Sequence, residues 1–127
     1  MIPVTAMPAR AGVIGEAAAA AWFEAQGYQV LARNVRWRGG EIDLVVRCGD
    51  VVAVVEVKTR AGPGFGHPAD AVTLRKRRRL ARLAARYVAE AGLRNAIVRF
   101  DAVAVHLARD GQVRAIEHLP DAFSASE

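Results

Sequence analysis

The stretch "GGEIDLVVRCGDVVAVVEVKTR", residues 39–60, constrains this chain more than any other. Two runs rich in valine and isoleucine meet at Cys48-Gly49-Asp50 and read as an antiparallel hairpin. A two-residue turn at Gly49-Asp50, glycine first as a type II′ turn favours, sets Cys48 opposite Val51. Counting outward places Asp43 opposite Glu56 and Glu41 opposite Lys58, and strand alternation sends all four side chains to one face. Opposed β-carbons lie roughly 5 Å apart, where like charges repel. Carboxylates so placed share a proton, borrow a lysine or hold a cation. The run "VVAVV" is apolar on both faces, as a central strand covered on either side must be.

The rest of the chain supplies that cover. A first helix starts between Pro8 and Gly12 and closes at Gln26-Gly27. Strands are predicted over 28–37, 41–48 and 51–58, followed by a loop at 60–70 rich in glycine and proline. Thr73 is positioned to cap a second helix running to Gly92. Strands over 97–107 and 112–119 flank the turn Asp110-Gly111. A helix between the third and fourth strands permits a parallel crossover, so the order predicts an α/β fold, a mixed sheet flanked by helices. With 127 residues the chain forms one domain, assigned to 9–119. Residues 1–8 and 120–127 are expected to be poorly ordered.

Composition narrows the functional classes. The longest apolar run, Ala17 to Phe23, is too short to cross a bilayer, and no export signal precedes it, so a cytoplasmic protein without a membrane partner is expected. The single cysteine, Cys48, excludes an internal disulfide and a cysteine-based zinc site. A net charge of +5 points to a polyanion. Its distribution is more telling: Leu74–Val88 holds seven of the 18 basic residues and no acid. There Leu80, Leu83, Ala84, Tyr87 and Val88 form an apolar stripe, with Arg75, Arg78, Arg79, Arg82 and Arg86 opposite. Five like charges on one face fit a nucleic-acid backbone, with Lys76 beside them. Lysine occurs only as Lys58 and Lys76, so an ammonium kept inside a strand at 58 suggests a specific task.

Two facing carboxylates suit Mg²⁺ or Mn²⁺, which take oxygen ligands and a substrate phosphate. Such an ion would acidify an attacking water and offset charge on a phosphodiester, while Lys58 would hold a phosphate oxygen or orient the water. The ordered set "GEIDL" and "VEVKTR" resembles the PD-(D/E)xK nuclease signature. With "GEAAAAAWFEAQGYQVLARN", "FGHPADAV" and "RFDAVAV" it resembles the YraN family of predicted bacterial endonucleases, similar to archaeal Holliday junction resolvases. The resemblance spans about Gly12 to Val105 and implies a restriction-endonuclease-like αβββαβ core. It also implies that Asp43 and Glu56 bind metal, that Lys58 is catalytic, and that Glu16 joins the metal site. Independently, Val13, Glu16, Ala20 and Phe23 fall on one helical stripe, which aims Glu16 toward the sheet.

The expected function is a Mg²⁺- or Mn²⁺-dependent, structure-selective DNA endonuclease. Two alternatives stay open: a nucleic-acid-binding module that does not cut, and an RNA-processing nuclease. Arg77, where relatives carry a glutamine, favours the first alternative. Junction cleavage by relatives needs two sites, so a homodimer is also open, with the loop at 60–70 as candidate contact. His67 in that loop reads as a turn residue, and His106, His118 and Asp101 as structural groups. Trp22 reads as core and Trp37 as strand-end packing.

Overall fold

The computed structural model describes residues 7–61 and 73–124, the side chains of 7–10 excepted. Seven elements follow the predicted order: α1 (Met7–Ala25), β1 (Gln29–Trp37), β2 (Gly40–Cys48), β3 (Val51–Ala61), α2 (Leu74–Glu90), β4 (Ile97–Leu107) and β5 (Val113–Phe123). They build one sheet in the order β1-β2-β3-β4-β5. β3 and β4 run parallel, joined through α2, and the other neighbours are antiparallel. The restriction-endonuclease-like αβββαβ core with a mixed sheet is therefore present.

Each face of the sheet buries its own core. Leu44, Val46, Ala53, Val55, Val103 and Val105 pack with Ala19, Ala20 and Phe23 of α1. Ile42, Val45, Val52, Val54, Phe100 and Ala102 pack with Leu80, Leu83 and Ala84 of α2. The valines that made "VVAVV" read as central are thus divided between two cores.

Alanine content explains how close α1 lies. Gly15 sits against Thr59 of β3, and a β-carbon there would overlap the Thr59 hydroxyl. Gly15→Ala is expected to destabilise the protein by about 1–3 kcal/mol through overpacking. Thermal melts of Gly15→Ala and of Gly15→Ala/Thr59→Ala check this, the second change recovering part of the loss. Equal melting temperatures for Gly15→Ala and the parent would contradict the packing.

Two boundaries differ from expectation by three residues or more. β3 continues to Ala61 because its pairing with β4 persists to Ala61 and Leu107. β5 continues to Phe123, past the expected boundary at 119, because the Phe123 ring stacks on Phe100 at 4.8 Å and is buried. Pro120 is tolerated there since β5 is an edge strand. Residues 1–6, 62–72 and 125–127, with His67 and most of the candidate dimer loop, lie outside the described residues.

Asp101 lies on β4 opposite Val55 of β3 and organises a buried hydrogen-bond network. It is fully buried and accepts hydrogen bonds from Arg99 Nε (2.8 Å) and Nη2 (2.7 Å), His118 Nε2 (2.7 Å) and Asp121 N (3.0 Å). Burial alone would raise its pKa, but the bonds from His118, Arg99 and Asp121 outweigh it and hold the carboxyl below its usual range. Arg99 Nη2 also reaches Tyr28 Oη at 2.9 Å, tying β4 to the chain that follows α1. His106 is buried against Glu117, its Nε2 3.1 Å from Oε1.

Candidate active site

The hairpin forms in the predicted register, from Cys48 opposite Val51 to Leu44 opposite Val55. There the β2–β3 ladder stops, one residue short of Asp43 and Glu56. In place of the next ladder bond, Val57 N donates to Asp43 Oδ2 at 2.9 Å. On the other side of β2 the ladder skips from Arg33–Leu44 to Val35–Ile42, where Asn34 adopts a left-handed backbone with φ 52°. Asn is among the few residues that enter that region readily. Both ladders are therefore interrupted around Asp43.

The interruption overturns simple alternation. Ile42 joins Val45 on the α2 side, whereas Leu44 and Val46 face α1. Glu41 consequently does not face Lys58: Arg36 Nε of β1 donates to Glu41 Oε2 at 2.9 Å. The antiparallel pair Arg36–Glu41 puts those two side chains together across β1–β2, a partner on the strand that hairpin counting ignores. Lys58 remains exposed and makes no ion pair among the described residues.

Asp43 is the centre of the site. It is 8% exposed, yet only one of its oxygens has a hydrogen bond among the described residues. Burial chiefly, then repulsion from Glu56, pushes its pKa up to about 7; Glu16 and Glu41 add to the rise, and the Val57 N–H opposes it. Glu16 on α1 is half-buried and close enough to repel Asp43. The stripe proposed for α1 is corrected at Val13, which is 68% exposed, because Ala11, Gly15 and Ala19 carry the contact with the sheet instead.

Glu56 already has a cationic partner. Lys76 Nζ, from the first turn of α2, lies 3.4 Å from Glu56 Oε1. Among the described residues, no three His, Cys, Asp and Glu side chains converge as a metal-holding group. The donor set still fits a hard divalent cation: among the described residues one Asp43 oxygen has no hydrogen bond, Glu56 is near enough to repel Asp43, and Mg²⁺ commonly needs only one or two carboxylates. Asp43 and Glu56 would hold it, with Glu16 at the margin.

The structure sorts the basic helix into roles that periodicity left mixed. Arg75, Arg78 and Arg82 are exposed and without a partner among the described residues. Arg79 lays its side chain over Gly40, where a β-carbon would come 3.0 Å from Arg79 Cδ. Arg86 Nε bonds Glu90 Oε1 at 3.1 Å and its guanidinium lies over the Trp37 ring. Trp37 itself donates to Glu90, so it serves strand-end packing. Arg77 lies over the Phe123 ring, 5.7 Å from its centroid. Sequence reasoning missed the partners of Lys76 and Arg86; the Glu90 that follows Arg86 by four residues was the available signal. A cleft of about 310 Å³ between α2 and β4–β5, lined by Ala81, Ala85, Val88, Val98 and Phe100, includes none of these site residues.

Acids gathered where the two central strands part, beside a crossover helix, place the chain among restriction-endonuclease-like proteins related to the PD-(D/E)xK class. Residues 15–105 match the model described as "Uncharacterised protein family UPF0102", and the chain belongs to that family, which is related to YraN. It is 51% identical to a UPF0102 protein of Symbiobacterium thermophilum over 85% of this chain and 92% of that one. A UPF0102 protein of Beutenbergia cavernae is 50% identical, over 85% and 91% of the two chains. One from Moorella thermoacetica is 47% identical, over 90% and 95%.

Proposed function

We propose that this chain is a divalent-metal-dependent, structure-selective DNA endonuclease. The observation that carries the reading is Asp43: a buried carboxylate, fixed through one oxygen by Val57 N, with no hydrogen bond to the other among the described residues, and close enough to Glu56 to be repelled by it. A protein that needed only a stable hairpin would gain by placing an apolar residue there. Asp43 and Glu56 hold the cation, Mg²⁺ or Mn²⁺, in this reading. When bound it supplies electrophilic stabilisation of the phosphate and acidifies the attacking water. Lys58, two residues beyond Glu56 on β3, holds a phosphate oxygen or orients that water. Glu16 adds negative charge that favours the ion.

Arg75, Arg78 and Arg82 bind successive backbone phosphates along one face of α2, without reading bases. Replacing all three by glutamine is expected to weaken duplex binding uniformly across sequences. The slope of log K against log salt should shrink by about 3, one phosphate contact for each arginine. Fluorescence anisotropy over a salt series measures this, and an unchanged slope would remove α2 from the interface.

Cleavage of labelled linear, single-stranded, flap and four-way-junction DNA with Mg²⁺ or Mn²⁺ tests the enzyme, with Lys58→Ala alongside to exclude a contaminant. Metal-dependent cutting lost in Lys58→Ala supports the reading; cutting of RNA alone would redirect it to RNA processing. A second reading, a binding module that does not cut, draws on the Lys76–Glu56 ion pair, which occupies one of the two acids. Tight binding with no cutting of any of these substrates would favour it.

A further inference from the structure

Lys76 turns its side chain to Glu56 and away from the exposed arginines of α2. Its backbone is anchored by the helix cap, Lys76 N donating to Thr73 Oγ1 at 3.3 Å. From there its ammonium reaches Glu56 Oε1 at 3.4 Å, with the Glu56 side chain only 15% exposed. Asp43 lies close enough to Glu56 to feel its charge. Without a cation, two neighbouring carboxylates would repel with no compensation, and the Lys76 ammonium supplies that compensation. Arg75, just before Lys76, and Arg78, two residues after it, are exposed and unpaired among the described residues.

We propose that Lys76 is a tethered counter-ion that alternates between Glu56 and a nucleic-acid phosphate, so that metal binding and nucleic-acid binding promote each other. The inference rests on the metal site of the proposed function. Lys76 and a divalent cation compete for the same carboxylate, and two cations crowded on Glu56 repel. Lys76 therefore gives up Glu56 when the acid pair takes a metal. Its four-carbon stem, rooted in the first turn of α2, then offers the ammonium to the phosphates held by Arg75 and Arg78. Coupling of this kind is reciprocal: whatever factor the metal adds to nucleic-acid affinity, the nucleic acid adds to metal affinity.

The test is a Mn²⁺ titration, followed by electron paramagnetic resonance of the free ion, without nucleic acid. Parent, Lys76→Met and Lys76→Arg are compared, each shown folded by circular dichroism in EDTA. Lys76→Met loses the competitor and is expected to bind Mn²⁺ about tenfold more tightly, within the usual range of coupling between linked sites. Lys76→Arg keeps the charge and should stay near the parent. Should Lys76→Met not fold, Lys76→Gln, which is neutral and still able to hydrogen-bond Glu56, takes its place with the same expectation. Measurable binding by the parent with equal or weaker binding by the neutral variant overturns the proposal and leaves the metal site standing. Absence of Mn²⁺ binding in parent and variants alike overturns both.

Discussion

Asp43→Asn is expected to melt at a higher temperature than the parent at pH 8 in EDTA, while losing all cleavage. The carboxyl of Asp43 is raised from 3.8 to about 7 in the folded protein, first by burial and then by Glu56. The folded state thus holds that proton more tightly than the unfolded chain does. The stability that Asp43 contributes is greatest below the unfolded pKa, falls as pH rises toward 7, and then levels off. Asparagine removes the charge but keeps an oxygen for Val57 N. The gain should be near zero at pH 4 and reach about 2 kcal/mol, or several degrees, by pH 8. Melting curves of the two proteins from pH 4 to pH 8 measure it. A variant less stable than the parent at pH 8 would show that the acid supports the fold, and would count against a reserved metal site. Added Mg²⁺ should raise the melting temperature of the parent alone.

Asp101→Ala is expected to produce the largest loss of stability of any single change discussed, with the opposite pH dependence. Four donors converge on this fully buried carboxylate, and truncation leaves the Arg99 guanidinium and the His118 ring without their acceptor. Breaking a buried charge pair from one side costs about 3–5 kcal/mol, enough to lower the melting temperature by more than ~10 °C. Because its folded pKa is lowered, Asp101 contributes stability above the unfolded carboxylate pKa, and that contribution is lost as pH falls through the folded value. The acid limb of the stability profile should therefore flatten in Asp101→Asn. Arg99→Met combined with Asp101→Ala should recover part of the loss, since it removes the stranded charge. If Asp101→Ala melts with the parent, the network contributes nothing to folding.

These two aspartates separate what a one-dimensional reading reaches from what it does not. The hairpin register was legible because a two-residue turn fixes the count and strand geometry carries it forward. The two-sided core was legible from "VVAVV", and the faces of α2 from its helical period. The register count brought Asp43 and Glu56 to the same place, although neither alternation nor turn type revealed that the ladder would end there. At that point the Asp43 side chain takes over a backbone bond, and in the neighbouring β1 Asn34 turns to a left-handed conformation.

The sequence by itself thus determined the order of elements and the neighbourhood of the acids, and allowed the parallel crossover, since local geometry repeats along each strand and helix. Only the tertiary structure decided which cation answers which acid. Glu41 went to Arg36 across β1, Glu56 to Lys76 across the crossover, and Asp43 has none among the described residues. Periodicity says which way a side chain points, whereas an ion pair depends on what another element brings within about 4 Å of it.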